Sequence, residues 1–385
     1  MPTFLLPNNP MPQLGLPIGA PGANISNFAN SLPNSTPKRS VNFIADAGGC
    51  GHFRMIWPSY LLNIYQKGIV TCDMAMIFDP RYYQDVRTVR VQRQATPHQV
   101  NFLKHLKEIS KKNNMKLLYD VDDVIFREDI PPYNGCRHAF LGDEIRSSSV
   151  EAMLLCDKMT VCSDYMADYY RKKTGHPNIF SIPNYLPKFW FDRYYSASKI
   201  EERYNKHRKK PRVGVFASGT HVDANQQNND IDDFTHVNDV IIKTCKDIQW
   251  VVVGSKPRKL SPYIDQGLIE FKQWVNLNDY PDFMDKMDVN LTFAPLVDNE
   301  FNRSKSDIKI LEAGALGVPC ICQDLVTYSK SPLKFTTGDD LLNKIVTVMK
   351  DSNSYFKYSK EYRSIAESRW LEDHLNEYVD LYELN

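Results

Sequence analysis

The sequence predicts an α/β chain made of two consecutive βα domains. Three observations carry this expectation: short apolar runs alternate with helical stretches from Val41 onward, a charged and proline-stopped segment follows Glu201, and the alternation resumes at Arg212. With 385 residues and 42% hydrophobic side chains, the chain can bury two cores of ordinary size. Its 47 basic and 46 acidic side chains leave a net charge of +1. No global field therefore draws it to nucleic acid or anionic membrane, and any polyanion contact has to be a local patch. The eight cysteines include no CxxC pair, and Cys156, Cys162, Cys320 and Cys322 lie in apolar runs, the pattern of reduced core thiols in a cytoplasmic protein. No uninterrupted apolar run approaches the roughly 18 residues of a membrane helix, so no membrane anchor is expected.

The first 37 residues carry no charged side chain and eight of the 23 prolines, which excludes a long helix or paired strand. Residues 1–40 are read as an arm, either loosely draped or docked on the body or a partner through side chains such as Phe4, Leu6, Leu14 and Phe28. Lacking a basic start and an apolar core, the arm is not a signal peptide. A first domain is expected over residues 41–205. Its strands fall at Val41–Ala45, Met74–Phe78, Lys116–Asp120, Lys158–Cys162 and Asn178–Ile182, and its helices at Pro97–Asn113 and Glu144–Leu155. The charged stretch from Glu201 to Pro211 reads as a linker. A second domain, residues 212–360, has strands expected at Arg212–Ala217, Trp250–Gly254, Ile269–Phe271, Val289–Ala294 and Cys320–Cys322. Residues 361–385 are a final helix, apolar at Ile365, Trp370, Leu371 and Tyr378.

Chemistry concentrates after the strand expected at Val289–Ala294. The polar stretch from Asp298 to Ser304 is a loop at the place where open α/β sheets bind ligands, beyond the carboxyl ends of their strands. On the helix that follows, Lys305, Lys309 and Glu312 are spaced by four and three and share a face. A carboxylate there accepts both hydroxyls of a ribose, while lysines near the helix start, with its free N–H groups, hold a diphosphate. Gly314 and Gly317 are expected to let the helix sit close to the sheet. The combination suits a nucleotide sugar.

The run from Phe301 to Pro319, with Arg303, Ser304, Lys305, Lys309 and Glu312, resembles retaining glycosyltransferases of the family 4 type, in the form common in bacteriophage genomes. The resemblance spans roughly residues 41–375. It implies a GT-B fold: two Rossmann-like domains facing a cleft, with the last helix crossing back to the first domain. It also implies transfer of a sugar from a nucleoside diphosphate, UDP-linked, to a hydroxyl with retention at the anomeric carbon, with no required cofactor and no metal. Family members carry an E-x7-E motif whose first carboxylate contacts the sugar and whose second contacts the ribose. Glu312 matches the second, but Ser304 stands at the first, so that carboxylate is missing or supplied by a neighbour such as Glu300.

The stretch from Ala47 to Arg54 follows the first expected strand and opens a helix. Gly48, Gly49 and Gly51 let backbone amides approach a phosphate, the helix start favours negative charge, and Arg54 adds a fork for phosphate or an acceptor oxygen. A glycine-rich turn is also common as plain structure; the resemblance sets this one against the donor diphosphate. Its GG-x-G spacing is not the dinucleotide fingerprint, which sets aside a nicotinamide oxidoreductase. Asp120-Val121-Asp122-Asp123 ends a strand and has three readings: a metal-holding DxD, a structural cap, or binding of sugar or acceptor by Asp122 and Asp123, the one the resemblance favours. Ser218-Gly219-Thr220-His221 follows the first strand of the second domain and resembles the family's donor turn. Its amides and hydroxyls suit phosphates or sugar and His221 donates to the same oxygens, although a lone loop histidine is otherwise a solvated residue. The Arg and Lys that follow this turn in the family are absent between Asp223 and Asp233, which moves their load to Arg303 and Lys305, with Arg54 also expected to stabilise the departing charge.

Arg81, Arg87, Arg90 and Arg93, interleaved with Tyr82 and Tyr83, read either as a solvated face or as phosphate-contacting and base-stacking groups. Together with the phage-like resemblance they make double-stranded DNA with hydroxymethylated bases, such as 5-hydroxymethylcytosine, the expected acceptor, ahead of a surface polysaccharide. A non-catalytic nucleotide-binding module would keep the fold and accord with the serine at position 304.

Overall fold

The computed structural model describes residues 39–65, 67–223 and 231–384. The expected arm, apart from Arg39 and Ser40, lies outside the described residues. The chain forms two compact units. Unit 1 comprises the residues up to Ile125, Phe140–Pro187 and those from Leu371; unit 2 comprises Phe126–Ala139 and Lys188–Trp370.

Unit 1 is built on six strands: β1 (Arg39–Phe43), β2 (Ile69–Asp73), β3 (Val86–Gln92), β4 (Lys116–Asp120), β5 (Lys158–Val161) and β6 (Ile179–Ser181). They pair in the order β2-β1-β3-β4-β5-β6, all parallel. A parallel sheet needs cover on both faces, which explains the nearly continuous apolar strands and the intervening helices α1 (Trp57–Ile64), α2 (Pro97–Asn113), α3 (Asp143–Leu155) and α4 (Asp164–Thr174). Helix α2 starts as its sequence dictates. The Thr96 side chain takes the Gln99 N–H, Gln99 returns the bond to the Thr96 backbone, and Pro97 occupies the first turn, where its missing N–H costs nothing.

Unit 2 repeats the plan with β7 (Arg212–Ala217), β8 (Gln249–Gly254), β9 (Glu270–Lys272), β10 (Leu291–Ala294), β11 (Cys320–Gln323) and β12 (Lys334–Phe335), ordered β12-β11-β10-β7-β8-β9 and all parallel. Its helices include α5 (Ala197–His207), α6 (Asn238–Thr244), α7 (Tyr280–Lys286), α8 (Glu300–Arg303), α9 (Ile308–Ala315), α10 (Gly338–Met349) and α11 (Ser352–Glu367). The closing helix α12 (Leu375–Leu381) belongs to unit 1. Among the described residues no helix is long and apolar enough to cross a membrane.

Several expected elements differ. The strand expected at Met74–Phe78 is a loop; the pairing segment is Ile69–Asp73, and Met74 and Phe78 are exposed. Strand β3 was hidden in the sequence because its charges, Arg87 and Arg90, break the apolar run, yet Arg90 is fully buried. The supposed linker is helix α5, whose cations are matched to unit 2: Lys199 and Arg203 bond Asp285 at 2.8 and 3.3 Å, and His207 meets Asp288 at 3.0 Å. The boundary between the units accordingly falls before Lys188 rather than near residue 205. The C-terminal segment is two helices, α11 in unit 2 and α12 in unit 1. Gly314 faces α11 and not the sheet: a Cβ there would lie 2.3 Å from the Tyr362 carbonyl oxygen.

Unit 1 is organised around one buried carboxylate. Asp120, at the end of β4, accepts from Arg54 Nε at 3.2 Å and Nη2 at 2.8 Å, from Arg90 Nη2, and from the Thr160 hydroxyl at 2.6 Å. Burial alone would raise its pKa; the two guanidiniums and the hydroxyl overcome that and hold it at about 2. This value lies below that of an unfolded Asp, about 3.9, so the carboxyl's contribution is complete above roughly pH 4 and is lost as pH falls toward the folded value. Asp120→Asn leaves two buried cations without their anion and is expected to lower unfolding free energy by about 3–5 kcal/mol in urea titrations at pH 7. The penalty should shrink as pH falls from 4 towards 2; a variant as stable as the parent at pH 7 contradicts this role.

Candidate functional site

In unit 2 the strand order reverses between β7 and β10, the position at which open α/β sheets place ligands. Two loops leave the sheet there. The first, Ser218 to His221, turns through a His221 N–H to Ser218 carbonyl bond of 3.1 Å, with the Ser218 and Thr220 hydroxyls 2.8 Å apart. The second runs from Pro295 into α8, where Asn299 caps the Asn302 N–H at 2.9 Å.

A single carboxylate ties the two loops together. Asp233 Oδ2 meets His221 Nδ1 at 2.7 Å, while Oδ1 accepts from the Tyr133 hydroxyl at 2.7 Å, the Val297 N–H at 2.9 Å and Asn302 Nδ2 at 2.7 Å. The pKa of His221 lies below its ordinary value, first through burial and then through the charges of Lys305 and Lys309, against the opposing pull of Asp233. His221 also lines a void of about 20 Å³ with Phe234, Phe293, Tyr328 and Lys309, space for one water-sized group.

Beyond the second loop, α9 carries Glu312, which is 4% exposed. Its Oε2 accepts from the Tyr280 hydroxyl at 3.0 Å and from Lys309 Nζ at 3.1 Å, and its Oε1 has no hydrogen-bond partner among the described residues. Trp274, 43% exposed, stacks on Tyr280 with centroids 5.3 Å apart, and Lys309 Nζ lies 5.8 Å from the Trp274 ring centre. A carboxylate oxygen, a cation and a flat aromatic face thus sit side by side. Lys305, whose Nζ lies 4.5 Å from the Phe301 ring centre, precedes α9, and the N-cap residue Asp307 turns its carboxylate to Arg369 at 3.3 Å rather than onto the helix amides. Ser304, eight residues before Glu312, is fully buried, and Glu300 reaches Arg303 at 3.5 Å. The fork expected of Arg303 is occupied: Nε and Nη2 bond Asp298 at 2.6 and 2.8 Å.

Unit 1 distributes its expected site residues differently. Arg54 and Arg90 are wholly buried around Asp120; Arg54 also bonds Asn184 at 3.2 Å and Arg90 bonds the Arg54 carbonyl at 2.9 Å. Both are fully enclosed and spent on Asp120, so neither is presented to a diphosphate or a DNA backbone. Asp120 is likewise committed and cannot act as a DxD ligand. The amides of the glycine loop are met from within: Asp46 Oδ1 accepts from Gly48 N–H at 2.7 Å and Gly51 N–H at 3.5 Å. Gly51 is required by this fold-back, since a Cβ would lie 1.8 Å from the Asp46 carbonyl oxygen; Gly49 is exposed. Arg93 pairs with Asp46 and lies 4.0 Å from Asp122, so it too is engaged inside the unit. Asp122 is 8% exposed and its pKa is pushed up by burial, against the pull of Arg93, with Asp123 alongside. Of the four arginines expected to contact DNA, Arg81 and Arg87 remain at the surface, Arg81 chelating Asp79.

Asp233, Tyr280 and Trp274 were not singled out from sequence. Asp233 belongs to no recognisable spacing, and its partners lie 12 to 100 residues away. A tryptophan in the polar stretch Gln273 to Asp279 was the one available signal.

At the level of sequence, no family model and no curated protein matches the chain. Among solved structures it is similar to Anabaena Alr3699/HepE in complex with UDP-glucose, with a TM-score of 0.59 at 12% identity, covering 89% of this chain and 98% of that one. It is also similar to an alpha-glucosyltransferase in complex with UDP and a 13-mer DNA containing an HMU base, with a TM-score of 0.56 at 11% identity, covering 90% and 99%. With two six-stranded parallel sheets and their flanking helices, the chain has the GT-B fold.

Proposed function

We propose that this chain is a glycosyltransferase that binds a UDP-linked sugar at the switch point of unit 2 and transfers the sugar to a hydroxyl with retention. The observation that carries the reading is the Glu312 group: an unpartnered carboxylate oxygen for ribose, Lys309 beside it, and the Trp274 face for the base. Lys305 and the uncapped amides opening α9 supply positive charge for the departing diphosphate, where fixed donors stabilise developing charge most. Arg54 has no part in this step, and Arg303 acts only if Asp298 releases it. In unit 1, Asp122 with Asp123 is assigned to the acceptor hydroxyl. Structural relatives that hold UDP or UDP-glucose support the donor class.

Double-stranded DNA with a hydroxymethylated base is the acceptor we propose, in keeping with the relative that holds HMU-containing DNA and with the phage-type resemblance. Arg81 and Arg87 are left to meet phosphates. The burial of Arg90 and the internal pairing of Arg93 favour the second reading, a saccharide acceptor.

Glu312→Gln keeps shape but gives up charge-assisted acceptance, worth about 1.5–3 kcal/mol, so UDP affinity measured by calorimetry should fall roughly tenfold or more. Unchanged affinity in a folded variant removes Glu312 from the site. Incubating hydroxymethylated DNA with a panel of nucleotide sugars and analysing its nucleosides by mass spectrometry should show a hexose or pentose adduct. DNA binding should weaken steeply with salt, and Arg81→Ala with Arg87→Ala should flatten that slope by about 0.9 per lost phosphate contact. Unaltered DNA alongside a glycosylated saccharide overturns the DNA acceptor in favour of the second reading.

A further inference from the structure

We infer that His221 recognises a hydroxyl of the donor sugar as a hydrogen-bond acceptor through Nε2, and that Asp233 is the positioning residue that holds it in that state. The inference rests on the nucleotide-sugar reading above and reverses the expectation that His221 donates. Its basis is the geometry of the clamp. Three donors from two separate stretches, the Tyr133 hydroxyl from one and the Val297 N–H and Asn302 Nδ2 from the loop into α8, converge on Asp233 Oδ1 at 2.7–2.9 Å. A carboxylate held this way cannot rotate, and it presents lone pairs, not a proton, to the imidazole 2.7 Å from Oδ2. The imidazole hydrogen therefore sits on Nδ1, and in the neutral ring Nε2 carries the free lone pair.

The charged groups acting on the ring are Asp233, in contact with Nδ1, and the cations Lys305 and Lys309. Burial and the two lysines disfavour a further positive charge there, so the ring is neutral at neutral pH. Nε2 has no partner among the described residues. A phosphate oxygen offers it no hydrogen, whereas a sugar hydroxyl does. The void of about 20 Å³ that His221 lines admits one group of that size.

Calorimetry with UDP, UDP-glucose and the set of UDP-deoxyglucoses, each lacking one hydroxyl, tests this on the intact chain. One analogue should bind about tenfold more weakly than UDP-glucose, the size of a single lost hydrogen bond with its partner left unpaired. His221→Phe should bind that analogue and UDP-glucose equally. Asp233→Asn offers an amide N–H to Nδ1 and moves the imidazole hydrogen to Nε2, so the sugar hydroxyl must then accept. An analogue with fluorine in place of that hydroxyl, which accepts weakly and cannot donate, should bind as poorly as the deoxy analogue in the parent and better than it in this variant, each affinity taken relative to UDP in the same protein. Should that variant not fold, the pH profile serves in its place: the fluoro analogue should bind no better than the deoxy analogue at neutral pH, where Nε2 can only accept, and gain on it once acid protonates Nε2. A flat deoxy series, or discrimination that survives in His221→Phe, overturns the inference while UDP binding stands. Failure of UDP itself to bind overturns the nucleotide-sugar reading instead.

Discussion

A carboxylate removed from water must find donors within the protein, and Asp233 meets that demand with four hydrogen bonds that together shape the candidate site. Those bonds fix the ring plane of His221 after β7, the Val297 turn after β10, and Asn302 at the start of the segment leading to α9. They also anchor Tyr133, from the excursion Phe126–Ala139 that separates from unit 1 in sequence and packs within unit 2. Three pieces of chain, the His221 turn, the loop from Val297 to Asn302 and the stretch around Tyr133, thus share one anion. A site assembled this way is stiff, which is what recognition of a small polar ligand requires, because little ordering remains to be done on binding.

Unit 1 solves the same problem with the opposite outcome. Its buried anion, Asp120, is matched by two cations and a hydroxyl wholly inside the unit, so Arg54 and Arg90 are structural. A carboxyl left in an unusual electrostatic state is that of Asp122, raised by burial beside Arg93 and Asp123. Perturbed carboxyls at the carboxyl ends of parallel strands are where acid–base or hydrogen-bonding chemistry is found. That contrast is why the acceptor role is proposed at the end of β4 and not at the glycine loop.

Much of the fold was legible in the sequence. Strands such as β4, β7 and β8 announce themselves as short apolar runs, and the spacing of Lys309 and Glu312 put both on one face of α9, where they bond each other at 3.1 Å. What escaped was charge placed against expectation. Strand β3 carries an arginine into the core because Asp120 awaits it, and α5 looked like a linker because its cations are balanced by Asp285 and Asp288, some 80 residues later. The same blindness applies to the glycine loop: Gly48, Gly49 and Gly51 have the look of a phosphate loop, but sequence cannot show that Asp46 already occupies the Gly48 and Gly51 amides. Pairwise electrostatics across long separations leaves no periodic trace, and Asp233 is the clearest case.

The most direct measurement is amide hydrogen exchange of the intact chain with and without UDP. The account predicts protection confined to unit 2, at the Ser218–His221 turn and from Lys305 into the first turn of α9, with the Gly48 and Gly51 amides unchanged because Asp46 already holds them. Protection of the glycine loop with no change at Lys305 to Glu312 would contradict it.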